Sequence, residues 1–224
     1  MRPLSLLEAR VLGVLIEKAH TVPDSYPLSI NSLTLGCNQK TAREPVIAAS
    51  EGEVQAAVDA LKLLSLAFES SGSRVTRYEH NLGRALQLPS QSVALLCTLM
   101  LRGPQTTSEL RANSERLHRF ADLSAVEGFL DELAARPAEK GGPLALLLPR
   151  APGAREPRWA HLLSGAVDVA AVASSAHLQS DSEAFVAGSE LAALRARIDR
   201  AEGEASELRR LVERLYDELS LSRT

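Results

Sequence analysis

SEGEVQAAVDALKLLSL, residues 50–66, and LSAVEGFLDELAAR, residues 123–136, are the stretches on which the architecture turns. Laid over one another, VQAAVDAL (54–61) meets VEGFLDEL (126–133) without a gap. In the first, Val54, Ala57, Val58 and Leu61 recur at helical spacing and make one apolar face. Its start is signalled as well: Ser50 stands at an N-cap position, and Glu53 three residues later completes a capping box.

Outward from these helices the likeness continues. Before the first lie LSLLEARVLGVLIEKAHT (4–21) and LSINSLTLGC (28–37), both apolar-periodic, with Ser29 placed to cap the second. After it, LAFES (66–70) and RVTRYEHNL (74–82) alternate like strands around SGS and predict a hairpin. The second helix is preceded by SQSVALLCTLMLRG (90–103), stopped by Gly103 and Pro104, and by TTSELRANSERL (106–117). PLALLLPR (143–150) and REPRWAHLL (155–163) supply its hairpin, and YEHNL (78–82) matches WAHLL (159–163). Three helices and a two-stranded ribbon, twice over, predict a mainly α fold with small β hairpins (α+β), a tandem winged-helix architecture. The first domain is expected over residues 1–88 and the second over 89–163.

Beyond Leu163 the composition changes. Residues 164–187 are rich in Ala and Ser and read as a linker. In 188–224, Leu191, Leu194, Ile198, Ala201, Ala205, Leu208, Val212, Leu215 and Leu219 recur at 3–4 spacing, the seam of a coiled-coil helix. With Leu191 at position a, the g-to-e pairs of a parallel dimer are Glu190–Arg195, Arg197–Glu202 and Glu204–Arg209, all attractive. The charges favour a homodimer through Leu191, Leu194, Ile198, Leu208, Val212, Leu215 and Leu219. Packing back on the body, or a solvated helix, are the other ways to satisfy the stripe.

The 224 residues carry 45% hydrophobic and 24% charged side chains, the composition of a soluble globular protein. No apolar run approaches the ~20 residues of a bilayer span, so no membrane partner is expected. MRPLSLLEAR has a carboxylate at position 8 and no small-residue cleavage site, which does not read as a signal peptide. Two cysteines, Cys37 and Cys97, stand far apart among apolar neighbours, which suits a reducing cytoplasm better than a disulfide or zinc site. Lys and Arg number 9 against 9 Asp and Glu in residues 1–88, 9 against 8 in 89–163, and 7 against 11 thereafter. The body is near neutral and the tail acidic, without the basic balance that a phosphate-rich partner usually selects.

Four stretches carry a family resemblance: LEARVLGVLIEKAHTVPDSYPLS (7–29), NSLTLGCNQKTAREPV (31–46), SRVTRYEHNL (73–82) and LHRFADLSAVEGFLDELA (117–134). In them the chain resembles the uncharacterised bacterial YceH-like proteins. The resemblance implies two winged-helix domains, in agreement with the periodicity, and implies no substrate, ligand or mechanism.

Catalytic signatures are missing from the sequence. It has no nucleophile elbow, no phosphate loop, no H-E-x-x-H and no closely spaced cysteine pair. The five histidines, His20, His80, His118, His161 and His177, lack metal-ligand spacing. Cys37 reads as a small buried helix residue, and Glu17 and Lys18 as exposed charges closing the first helix. No enzyme, cofactor or metal is expected.

Nucleic-acid binding is the harder question. Inserted in the common winged-helix mode, the third helices would bring Glu51, Glu53 and Asp59, or Glu127, Asp131 and Glu132, toward phosphates. Cations sit elsewhere. Asn38, Gln39, Lys40, Thr41 and Arg43 lie in the oversized connector GCNQKTAREPV (36–46), and Arg74, Arg77, Tyr78 and His80 on the hairpin. If both face one way, Lys40, Arg43, Arg74 and Arg77 converge on a patch for DNA, and Asn38 and Gln39 can read base edges. The other account ties Arg43 and Glu44 into internal salt bridges, with Pro45 ending the turn so that Val46 and Ile47 pack. Tyr78 and Trp159, at matching places in the two hairpins, are expected to cover the helical core. Arg111, Arg116, His118 and Arg119 form a second cationic cluster. Two functions from different classes follow: a DNA-associated dimeric regulator, or a scaffold whose partner is another protein.

Overall fold

Side-chain caps start most of the helices. A computed structural model of the protein describes residues 1–70, 75–151 and 153–167, with seven α-helices and five short strands among them, an α+β fold. Helix α1 (Leu6–Thr21) opens at Ser5, whose hydroxyl accepts from the Glu8 amide while the Glu8 carboxylate accepts from the Ser5 amide. Helix α2 (Ile30–Cys37) is capped by Ser29. Helix α3 (Glu51–Leu63) has the expected box of Ser50 and Glu53. After the short α4 (Leu82–Leu86), α5 (Ser90–Arg102) ends at Gly103, whose φ of +73° lies in the region that favours glycine. Helix α6 (Thr107–Ser114) repeats the box with Thr106 and Glu109, and α7 (Leu123–Ala134) is capped by Asp122.

Strands β1 (Leu28–Ser29), β2 (Ala67–Ser70) and β3 (Arg77–His80) form an antiparallel sheet in the order β1–β3–β2, with Leu28 opposite Tyr78 and Ala67 opposite His80. Strands β4 (Ala145–Leu147) and β5 (Trp159–His161) pair with Leu147 opposite Trp159. On the other side of β5, Gln105 bridges Trp159 through two backbone hydrogen bonds of 2.7 and 3.0 Å. Gln105 thus stands before α6 as β1 stands before α2, a third member of each sheet that periodicity did not signal.

Helix α1 lies at the centre because two glycines let neighbours approach it. A Cβ on Gly36 of α2 would fall 2.5 Å from Val14 Cγ1, and one on Gly13 of α1 2.8 Å from Leu101 Cδ2 of α5. The Cys97 thiol of α5 donates to the Gly13 carbonyl at 3.2 Å. Leu12, Leu15, Ile16, Leu61, Leu95 and Leu99 are fully enclosed in one apolar cluster spanning both helical sets. Each such side chain contributes about 1.5–3 kcal/mol through burial.

Several boundaries differ from expectation. Residues 28–29 are strand, since their backbone pairs with Tyr78 and Arg77 before Ser29 caps α2. The strand expected to run to residue 82 stops at His80, and Leu82–Leu86 turns into helix after the Asn81 amide bonds the Leu66 carbonyl. No helix among the described residues is long and apolar enough to cross a membrane. Arg74, most of the Ala/Ser-rich linker and the whole heptad seam from Leu191 to Leu219 lie outside the described residues.

Candidate functional site

The connector after α2 is held from beneath by two arginines. Arg10 of α1, fully buried, donates from Nη1 to the Cys37 carbonyl at 3.1 Å and from Nη2 to the Pro45 carbonyl at 2.6 Å. Its Nε finds no hydrogen-bond partner among the described residues. Arg43 reaches down from the connector itself. Its Nη2 meets Glu17 Oε2 at 2.6 Å and Gln39 Oε1 at 2.7 Å, and Nη1 meets Glu17 Oε1 at 3.1 Å and the Ala42 carbonyl at 2.8 Å. Nε completes the set on the Gly36 carbonyl at 3.1 Å. All five donors are used, the bidentate geometry that a guanidinium and a carboxylate favour.

Burial works to raise the Glu17 carboxyl, but the hydrogen bonds and charge of Arg43, with Lys18 at 3.3 Å, hold it below the ordinary glutamate range. Desolvation lowers Arg10, and Arg43 nearby lowers it further. Asn38 folds back on the connector: its Nδ2 donates to the Ala49 carbonyl and its Oδ1 accepts from the Ala49 amide, both at 2.8 Å. The Glu44 amide donates to the Leu101 carbonyl at 2.8 Å, which ties the connector to the end of α5.

Arg43 is therefore corrected from an outward phosphate ligand to an internal cation, because its side chain has no exposed surface and its donors are spent on Glu17, Gln39 and main-chain carbonyls. Asn38 is occupied through both ends of its amide, and Gln39 through Oε1. Lys40 and Thr41 are exposed. On the hairpin, Arg77 donates from Nη1 to the Pro27 carbonyl at 2.7 Å. Tyr78 is 4% exposed, with its hydroxyl on Gln55 Oε1 at 3.1 Å, so it covers the core and offers no face to a base. The His80 amide donates to the Tyr26 hydroxyl at 2.7 Å, and burial pushes the imidazole down to about 4. Arg74 lies outside the described residues, so the four cations are not brought together among those described.

Of the residues that organise this region, Arg10 is not among the sequence candidates, and Glu17 is named there only as a helix-end charge. The signal for Arg10 was there: a lone cation inside the apolar run of α1. Glu17 read as an exposed helix-end charge but is partly buried under the connector. Of the account that ties Arg43 and Glu44 into internal salt bridges, the Arg43 half is realised, with Glu17 as partner, while Glu44 is exposed and forms no ion pair among the described residues. Val46 is 55% exposed, and Ile47 packs against the core.

For chemistry, burial pushes the Cys37 thiol up to about 12 and raises Cys97 as well, so neither is a thiolate at neutral pH. Both are free and buried. No group of His, Cys, Asp and Glu among the described residues could hold a metal ion. The exposed charge on the third helices is acidic: Glu51, Glu53 and Asp59 on α3, and Glu127, Asp131 and Glu132 on α7.

A family model described as "Protein of unknown function, DUF480" matches residues 4–154. A UPF0502 protein of Leptothrix cholodnii is 59% identical over 221 residues, covering 99% of this chain and 97% of its own length. One from Methylibium petroleiphilum is 62% identical over 204 residues, 91% of this chain and 84% of its own. One from Burkholderia multivorans is 58% identical over 221 residues, 99% of this chain and 91% of its own.

Proposed function

We propose that this chain, which belongs to the DUF480 family of bacterial proteins, is a non-enzymatic protein-interaction scaffold. In this reading two tandem winged-helix units present surfaces to another protein, and a C-terminal coiled coil doubles them in a homodimer. The observation that supports it is where the charge goes. Arg43, the central cation of the expected DNA patch, is enclosed against Glu17, while the exposed faces of α3 and α7 carry carboxylates. Carboxylates repel phosphates and release no counterions, so the affinity term that nucleic-acid binders rely on is weak on these faces. A protein partner needs no such term.

The test is a pull-down of the full-length protein from cells, split between nuclease-treated and untreated halves, beside a mobility shift with bulk genomic DNA at low salt. A protein recovered equally from both halves, with no shift, is the expected result. A shift at low salt, lost on charge reversal at Lys40 and Arg77, refutes the scaffold and restores a DNA-associated regulator.

A further inference from the structure

The turn between α6 and α7 shelters a groove of about 390 Å³ that the connector and the hairpins do not touch. Its floor is apolar. Phe120 is 5% exposed, edge-on to His118 with ring centroids 4.7 Å apart, and Ala112 and the 41% exposed Leu123 flank it. Its rim is charged, with Arg111 and Arg119 on one account and Glu115 on the other.

The neighbouring carboxylates have their bonds already. Asp122 accepts from the Ala125 amide at 2.8 Å and the Ser124 hydroxyl at 3.1 Å as the cap of α7. Glu109 accepts from the Thr106 amide at 2.8 Å and from Arg158 at 3.2 Å. The cations are less committed. Arg111 gives one Nη2 bond of 3.0 Å to the Ala121 carbonyl. The Arg119 side chain is 87% exposed and only 3.9 Å from Glu115 through Nε, a solvated pair worth little. Arg116 is exposed but does not line the groove. Two arginines thus face a single loosely held carboxylate at the groove.

We infer that this groove docks an acidic peptide segment of a partner protein, with one bulky apolar side chain between carboxylates. The inference rests on the scaffold reading and gives its partner a chemistry. A Leu or Phe side chain would cover Ala112 and Leu123, the exposed apolar part of the lining, where burial rewards it. Flanking carboxylates would meet Arg111 and Arg119, the bidentate recognition that arginine serves best. Nucleic acid fits less well: a strand-binding groove needs aromatic faces for bases to stack on, and Phe120 presents almost none.

The test is selection of a random dodecapeptide library on the full-length protein, with Arg119→Glu as counter-target. The Arg119 side chain is exposed, so this variant should melt like the parent, and Arg111 is spared because it also holds the loop. Enriched peptides are expected to place Asp or Glu around one Leu, Ile or Phe, and to lose affinity about tenfold on the Arg119→Glu variant. Leu123→Ser, a second variant, should weaken them without altering their salt dependence. Enrichment without the acidic-apolar pattern, binding unchanged in Arg119→Glu, or displacement of the peptides by oligothymidylate each overturns the inference. If the groove fails while a partner persists in the nuclease-treated pull-down, the scaffold reading stands without it.

Discussion

Replacing Glu17 by Gln keeps the shape of the side chain and removes the charge that Arg43 was folded around. The Arg43 side chain has no exposed surface, whereas Glu17 is 19% exposed. Removing one partner of a buried pair typically costs ~3–5 kcal/mol, because the other charge is left enclosed. Arg43 would retain the Gly36 and Ala42 carbonyls and Gln39, so Glu17→Gln belongs at the low end, about 3 kcal/mol. In a protein of this size each kcal/mol moves the thermal midpoint ~2–4 °C, which gives a drop of roughly 6–12 °C. Arg43→Met should cost a similar amount, since it strands the Gly36 carbonyl and leaves the Glu17 carboxylate with Lys18 as its remaining ion-pair partner. The double variant should lose less than the sum, with a coupling of about 2 kcal/mol in a denaturant-based cycle. Because the Glu17 carboxyl is held below its ordinary value, the contribution is complete above about pH 4.3 and fades as pH falls through the lowered value. Single variants within ~0.5 kcal/mol of the parent, accompanied by lost nucleic-acid retention in Arg43→Met, would refute the internal clasp.

Three further outcomes are expected, the last from the heptad pattern alone. Burial holds His80 and His161 down to about 4, so the folded state keeps both neutral while the unfolded chain protonates near 6.5. Stability should fall as pH drops from about 6.5 to 4, by as much as ~3 kcal/mol per histidine, and His80→Phe with His161→Phe should flatten the slope in pH-dependent urea melts. Gly36→Ala drives a methyl to 2.5 Å from Val14 Cγ1; a loss of ~1–3 kcal/mol is expected, with Val14→Ala recovering part of it in calorimetry. Leu194→Glu with Leu215→Glu should convert a dimer to a monomer in light scattering with the melting of the body unchanged; a parent that is already monomeric removes the dimer from the proposal.

How much of this was readable beforehand depended on whether the signal was local. Ser29 and Ser50 with Glu53 were visible because a cap is written within four residues. Six of the seven described helices and both antiparallel strand pairs followed from apolar periodicity, whereas α4 did not. The family resemblance drawn from the motifs is borne out by the match over residues 4–154. The connector failed for the opposite reason. Arg43 looks solvent-bound when judged by its neighbours Thr41 and Glu44, and only the fold brings Glu17 to it from 26 positions away. Gln105 is similar: its place beside Trp159 is a contact across 54 residues that no short window contains.

The Glu44–Leu101 hydrogen bond and the Gly13 contact with α5 have a mechanical corollary. Swivelling the first helical set against α5 would break that hydrogen bond and open a gap beside α1. A ligand engaging both sets would therefore meet them at the separation this contact favours. A fragment severed near residue 88 would bare the flank of α1 and be expected to clump.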